Sequence, residues 1–143
     1  MHTALDVAKH LIGVFTEKQD ALSNLKLQKL LYYSQGWYLA FHRRALFPET
    51  IEAWVHGPVV PVVFRQYSEH KWSPILGQPF PLPPSVASHL AEVIGVYGSF
   101  DAATLERLTH SEAPWKQARA GLAVHAPSSR PISTDSMMKY FSS

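Results

Sequence analysis

The chain has 143 residues, of which 46% are hydrophobic and 17% charged, and its formal net charge is only +2. This composition predicts one folded domain with a sizeable core, excludes a disordered chain, and supplies no basic stripe longer than Arg43-Arg44 for following nucleic-acid phosphates. The absence of cysteine excludes disulfides, thiolate nucleophiles and cysteine-ligated zinc.

The sequence shows no membrane or export signal. No apolar run approaches the ~18 residues that a bilayer span requires. Asp6, Lys9 and Glu17 interrupt the first twenty residues at helical spacing, which argues against a signal peptide. We therefore expect a soluble, cytoplasmic protein that does not bind membranes.

Two helices are predicted in the N-terminal third. Thr3 is the expected N-cap of a helix over residues 3–15, whose apolar residues recur at steps of three and four. A second helix begins after Ser23 or Asn24 and carries apolar side chains around a broad arc, which predicts the spine of the core. One apolar face of this helix comprises Leu27, Leu30, Leu31, Tyr38 and Phe41. Gly36 in its interior predicts close approach by a neighbouring backbone.

The middle of the chain reads as a short strand followed by a helix. The strand "IEAWV" is expected to stop at Gly57-Pro58, and Pro58 and Pro61 fit the first turn of a helix over residues 59–70. Five prolines between Pro74 and Pro84 then predict an extended surface connection.

The remaining third predicts four shorter helices. They begin near Ser85, Asp101, Pro114 and Ser133, and a short segment near Ile132 could pair with the strand. The fold class is therefore mostly α: a compact single-domain bundle of about six or seven short helices with one small β element, spanning residues 1–143.

Catalytic and metal signatures are weak. His110 and Glu112 form H-x-E, but the P-C-x-x-C that completes a deaminase zinc site is absent, as are H-E-x-x-H, G-x-S-x-G and a glycine-rich phosphate loop. We therefore expect no enzymatic activity, no cofactor and no metal. The alternative left open is a small metal-dependent or hydrolytic enzyme that uses His110, Glu112 and His56.

Nucleic-acid binding is also disfavoured. "LKLQKLLYYSQGWYL" mixes lysines with aromatics as base-stacking surfaces do, but its aromatics follow the apolar face of a helix. No helix start carries the basic residues that a helix-turn-helix reader needs. Four tryptophans in so short a chain leave some aromatic surface exposed, as in proteins that bind proteins.

Four stretches carry a family resemblance: "LKLQKLLYYSQGWYLA", "IEAWVHGPVVPVVFRQY", "LTHSEAPWKQAR" and the closing "MMKYF". In this order and spacing the chain resembles the Panacea antitoxin domain, also known as SocA-like or phage-associated GepA-like, from Ala4 to Phe141. The resemblance implies a mostly helical antitoxin of a bacterial or prophage type II-like toxin–antitoxin system, which neutralises a cognate protein toxin by direct binding. His56 departs mildly from the family pattern, where an aromatic is common.

The positions of these motifs lead to the hypothesis of one polar and aromatic partner-binding patch. We expect the Gly57-Pro58 corner to form the free N-terminus of a helix and to pack near the "LQK" and "THSEAPW" segments. The candidate partner-binding residues are Gln28, Lys29, Tyr33, Trp37, His56, Gly57, Pro58, Val59, Thr109, His110, Glu112, Pro114 and Trp115. The other reading of these residues is that they only hold the fold together.

Several partner questions stay open at this stage. Delivery of the toxin to a protease would use the same binding step, and a prophage-encoded host-interaction protein without a toxin partner is a further alternative. A homodimer is open as well, because two-fold dimers are the commonest assemblies of soluble chains.

Overall fold

The computed structural model describes residues 1–143 and contains seven α-helices and a three-stranded sheet. The helices are α1 (Ala4–Glu17), α2 (Asn24–His42), α3 (Pro61–Gln66), α4 (Pro84–Tyr97), α5 (Ala102–His110), α6 (Ala113–Ala118) and α7 (Thr134–Ser142). The strands are β1 (Ile51–Trp54), β2 (Gly57–Val59) and β3 (Pro131–Ile132). The predicted fold class, mostly α with one small β element, is confirmed.

Helix α2 is the spine of the domain, as its broad apolar arc predicts. It packs against α1, α3, α4, α5, α7 and β2, and most of its first thirteen residues are buried. The hydroxyl of Ser23 caps its N-terminus by accepting from the backbone N–H of Lys26 at 3.2 Å. Because α2 is surrounded in this way, its buried residues also include the polar side chains of Gln28, Lys29, Ser34 and Gln35.

A side chain packs against Gly36, where a neighbouring backbone was predicted. A side chain, the phenyl ring of Phe141 in α7, occupies the space that a Cβ at position 36 would fill. The expectation of a neighbouring backbone was wrong, because an aromatic side chain of α7 fills the space beside this glycine.

The Gly57-Pro58 corner belongs to the sheet and does not start a helix, which corrects the prediction. The strand order is β2-β1-β3, and both pairings are antiparallel. Gly57 pairs with Trp54 and Pro58 with Ala53, so the two residues begin a second strand after a tight turn at Val55-His56. Gly57 has φ +113°, a backbone conformation that favours glycine. The predicted pairing of the segment near Ile132 is confirmed, with Ile132 opposite Ile51.

Helix α3 is shorter than predicted. It starts at Pro61, where proline lacks only an N–H that would be free anyway, and it ends at Gln66 before a 3₁₀ turn at Ser68–His70. Residues 59 and 60 lie outside it because Val59 pairs with Glu52 in the sheet and Val60 has an extended backbone, with φ −94° and ψ 100°. The predicted free helix N-terminus at Gly57-Pro58 therefore does not exist.

Two predicted N-caps in the C-terminal half, Asp101 and Ser133, are confirmed. Asp101 accepts from the backbone N–H of Thr104 at 2.8 Å, and Ser133 accepts from that of Ser136 at 3.0 Å. Helix α6 ends at Ala118, and Gly121 follows in a turn at φ +84°. The proline-rich stretch is extended, as predicted, and its Gln78 carbonyl lies against Gly13 of α1.

The core is one cluster of 29 buried residues that includes Leu27, Leu30 and Leu31. Phe41 was assigned to the same face, but it is 63% exposed because it lies in the last turn of α2. Of the four tryptophans, Trp115 is buried and Trp72 is 79% exposed. None of the helices is both long enough and apolar enough to cross a membrane.

Candidate functional site

The three segments of the predicted patch do meet, and Gln28 joins the first two. Its side-chain carbonyl accepts from the backbone N–H of Val60 at 2.9 Å, and its amide donates to Asn24 at 2.9 Å. The Asn24 amide in turn donates to the Phe64 carbonyl at 3.0 Å. One turn of α2 thus binds the backbone of Val60, just before α3, and that of Phe64, within α3, through two buried side-chain amides.

Lys29 and Thr109 close around Gly57. A Cβ on Gly57 would lie 2.8 Å from Lys29 Cε and 3.0 Å from Thr109 Oγ1, so only glycine fits. The Lys29 side chain is 1% exposed, and its Nζ has no hydrogen-bond partner. The Thr109 hydroxyl is satisfied, since it donates to the Glu106 carbonyl at 2.9 Å. A buried and unpartnered ammonium is the least expected feature of the site.

His110 and Trp115 form the third side of the site. Their rings stack at a centroid distance of 4.0 Å and an angle of 14°. The indole N–H of Trp115 donates to the Trp54 carbonyl at 2.9 Å, which fixes α6 against β1. The Arg119 guanidinium lies 5.0 Å from the Trp115 ring on this side of the sheet. His110 Nε2 is buried without a hydrogen-bond partner.

The Glu112 carboxylate points into the helical core, away from the stacked rings of His110 and Trp115. Its carboxylate accepts from the Tyr32 hydroxyl at 3.0 Å and from the Tyr33 hydroxyl at 2.8 Å. The Tyr33 ring stacks on Tyr97 at a centroid distance of 3.8 Å. Glu112 is the residue just before α6, so this buried carboxylate anchors the start of α6 to α2.

A comparison with known protein families identifies the family to which this chain belongs. The profile of the family described as "Antitoxin SocA-like, Panacea domain" matches residues 27–116, a range that contains Lys29, Gly57 and Glu112. The chain belongs to the SocA-like Panacea antitoxin family.

A curated relative agrees with this assignment. Antitoxin SocA of Caulobacter vibrioides (strain NA1000 / CB15N) is 51% identical to this Panacea domain over 47 residues. The match covers 33% of this chain and 25% of the length of the relative, so the chain spans much less than two thirds of that protein. No solved structure matches the chain.

The site of this Panacea domain lies mostly in its interior. Ten of the thirteen candidate residues are buried: Gln28, Lys29, Tyr33, Gly57, Pro58, Val59, Thr109, Glu112, Pro114 and Trp115. Only Trp37, His56 and His110 keep exposed surface. His56 is the most open of them, and its Nδ1 lies 3.2 Å from the Glu106 carboxylate. The structure brings the motif segments together, but it leaves little of them for a partner to contact.

Burial also sets the protonation behaviour of the site. It lowers the pKa of the Lys29 amine from 10.5 to about 8, against the opposing charge of Glu106. Burial likewise lowers the pKa of His110, whereas Glu106 and a hydrogen bond to the Val55 backbone oppose that shift. The pKa of the Glu112 carboxyl is raised by burial, and the hydrogen bonds from Tyr33 and Tyr32 work in the other direction.

The arrangement shows no convergence of His110, Glu112 and His56. Their polar atoms have three separate surroundings: the ring of Trp115, the two tyrosine hydroxyls, and the Glu106 carboxylate. No group of three or more histidine, cysteine or acidic side chains has the geometry to hold a metal ion. The enzymatic alternative therefore gains no support from the positions of its residues.

Two residues were missed as parts of this site. Arg119 is 4% exposed, and its guanidinium donates to the Ala53 carbonyl at 3.0 Å and to the Ala126 carbonyl at 2.6 Å. Asn24 was predicted only as a possible cap of α2, whereas its side-chain amide also donates to the Phe64 carbonyl in α3. The available signal for Arg119 was its helical spacing of four from Trp115, which places both side chains on one face of α6.

Proposed function

We propose that this Panacea domain is an antitoxin that neutralises a protein toxin by binding it directly, and that its buried motif residues act by holding the binding surface in shape. Family membership supports the antitoxin role. The proposal assigns no chemical step to the domain. The scaffolding role of the motif is supported by its interior position, since ten of the thirteen candidate residues are buried.

The buried contacts support a scaffolding role in detail. Gln28 binds backbone at the β2–α3 junction, Glu112 binds two tyrosine hydroxyls of α2, and Trp115 binds the β1 backbone. Each contact joins elements that are distant in sequence, and none of these atoms points outward. A scaffold of this kind leaves the exposed positions free to differ between family members that bind different toxins.

Co-expression tests the proposal. The protein encoded by the neighbouring reading frame would be expressed alone and together with this chain, with growth and co-purification as the two readouts. We expect growth arrest by the neighbour alone, rescue by co-expression, and a stable complex. If the neighbour is not toxic, or if growth is rescued without a complex, direct neutralisation is contradicted. A complex accompanied by protease-dependent loss of the toxin would instead support delivery to a protease.

A buried-site variant tests the scaffolding part separately. Lys29→Met keeps the length of the side chain and removes the charge, so the domain should fold and neutralise as the wild type does. Loss of neutralisation by a folded Lys29→Met protein, judged by circular dichroism and thermal melting, would show that the amine itself takes part in binding.

A further inference from the structure

An open groove lies between α2 and α4, away from the buried motif, and its volume is about 180 Å³. We call it the α2–α4 groove. An interior cavity of about 150 Å³ can take up a benzene molecule, so the groove has room for one long side chain. Glu92 is the only formally charged residue among the seven that line it. The other six are Trp37, Phe41, His89, Val93, Val96 and Tyr97.

Three aromatic rings line the groove, and contacts within the chain fix two of them. The Trp37 indole N–H donates to the Tyr97 hydroxyl at 2.9 Å. Tyr33 covers one face of the Tyr97 ring at a centroid distance of 3.8 Å, and no other ring stacks on Tyr97. Phe41 stacks on Trp37 at a centroid distance of 5.8 Å. The groove therefore offers aromatic ring faces before any ligand arrives, and such faces attract ammonium and guanidinium groups.

Glu92 gives this groove an unpaired negative charge. The residue is exposed on α4, and no cation of the chain lies within ion-pair distance of it, since the one ion pair of the chain joins His56 and Glu106. No lysine or arginine lines the groove to neutralise the carboxylate. An apolar groove with one unpaired carboxylate is complementary to a ligand that has an apolar stem and a cationic end.

The hydrogen-bonding groups of the groove also favour a ligand that donates. The ring N–H of Trp37 is used by Tyr97, and His89 Nε2 donates to the Ser34 carbonyl at 2.9 Å. Burial lowers the pKa of His89, so its ring is neutral at pH 7 and Nδ1 carries a lone pair. This Nδ1 has no partner in the chain but is not a buried atom. The groove thus adds a neutral acceptor to its carboxylate, while both of its ring N–H groups are already used.

We propose that the α2–α4 groove holds an arginine side chain of the toxin, with the guanidinium paired to the Glu92 carboxylate and stacked on the aromatic rings. This inference rests on the proposed function, because the toxin is the partner that the domain neutralises. Arginine fits better than lysine, because its planar group stacks on rings and matches a carboxylate with two donors. A protein fits better than a free amine, because Phe41 and Val96 at the groove are 63% and 60% exposed and only a polypeptide would cover both.

Two small probes test the chemistry of the groove without the toxin. N-acetyl-arginine amide and N-acetyl-citrulline amide have nearly the same shape, but only the first is charged. We expect the arginine probe to shift the NMR signal of the Trp37 indole N–H saturably, and the citrulline probe to bind at least about tenfold more weakly. Glu92→Gln should abolish this difference, whereas Glu69→Gln, an exposed change on the 3₁₀ turn, should preserve it. Equal binding of the two probes, or no shift by either, overturns the proposal.

Charge reversal tests whether the toxin uses the groove. Glu92→Lys would be measured for affinity to the purified protein of the neighbouring reading frame and for rescue of growth. Glu69→Lys is the matched control, because both residues are exposed and only Glu92 lines the groove. We expect Glu92→Lys to weaken binding at least about tenfold and the control to stay within about twofold of wild type. Circular dichroism and thermal melting would verify that both variants fold.

The outcomes separate this inference from the proposed function. If the wild type binds and rescues, but Glu92→Lys does so equally well, the toxin docks elsewhere and direct neutralisation stands; a positive probe titration would then assign the groove to a free cation. If the wild type does not bind the neighbouring protein, both proposals fall. If Glu92→Lys converts a dimer into a monomer without weakening toxin binding, the occupant is a second copy of this chain and the inference is overturned.

Discussion

The phenyl ring of Phe141 lies where the side chain of residue 36 would be if that residue were not glycine. The same ring contacts Tyr32, Tyr33 and Trp37, so the last helix of the chain closes over α2 at this point. The packing of α7 on α2 at this point therefore depends on the absence of a side chain at residue 36.

Gly36→Ala should destabilise the domain although alanine is the better helix former. The added methyl group forces the Phe141 ring to move, at a cost of roughly 1–3 kcal/mol that exceeds the helix-propensity gain of about 1 kcal/mol. Thermal or urea unfolding would measure the change. Gly95→Ala in α4 is the matched control, since a Cβ there meets nothing within 4 Å, and it should stabilise. A stabilised Gly36→Ala protein would contradict the packing of Phe141 on Gly36.

Lys29→Met should stabilise the domain in a pH-dependent way. The pKa of Lys29 is about 8 in the folded protein and 10.5 as its ordinary value, so the unfolded chain holds the proton more tightly. Charged Lys29 therefore lowers the stability below pH 8, and this penalty disappears as the pH rises from about 8 to 10.5. Wild type and Lys29→Met should differ by roughly 3 kcal/mol more at pH 7 than at pH 10.5.

Denaturant unfolding at both pH values would measure this difference. Lys18→Met is the matched control, because Lys18 is exposed at the end of α1 and its replacement removes the same charge from the surface. If the Lys29→Met difference is independent of pH, the amine is not desolvated in the folded protein.

Tyr33→Phe should destabilise the domain by about 1–3 kcal/mol at pH 7, because the buried Glu112 carboxylate loses one of its two hydroxyl donors. The pKa of Glu112 is raised in the folded protein, so at pH 4 its carboxyl is protonated and the loss should be smaller. Urea unfolding at the two pH values would measure both effects. Tyr38→Phe, on the same helix, removes a hydroxyl without a hydrogen bond in the chain and should be nearly neutral at both.

Arg119→Lys should loosen the loop before β3. The guanidinium donates to carbonyls of Ala53, Ala123, Val124 and Ala126, and one ammonium group cannot reach this spread of acceptors. We expect a loss of about 2–4 kcal/mol in stability and faster proteolysis within residues 120–130. The exposed Arg107→Lys is the control. Unchanged proteolysis of Arg119→Lys would show that the loop is held by other contacts.

Local signals in the sequence were sufficient to predict that seven helices exist and to identify four of their N-caps. Thr3, Ser23, Asp101 and Ser133 each accept a hydrogen bond from the third residue of the helix that follows, as their identities predict. Capping depends on residues within one turn, so it needs no knowledge of the rest of the chain. The family resemblance is likewise visible in the sequence, because its motifs are runs of neighbouring residues.

The corner at Gly57 shows where local signals were not sufficient. A glycine-proline pair suits a helix start as well as a short edge strand, and only the pairing with β1 and the contact with Lys29 from α2 decide between them. The burial of Lys29 and Glu112 could not be predicted either, because charged residues are buried only where distant segments supply the surroundings.

By itself, the sequence determined the helical class, the caps and the family of this protein, since each of these depends on residues close together along the chain. Only the tertiary structure decided that the shared motif lies mostly inside the domain and that Phe41 and Val96 are exposed on its surface. The physical reason is that burial is a property of packed surfaces: the same apolar side chain fills a core or lines a groove according to what the rest of the fold places against it.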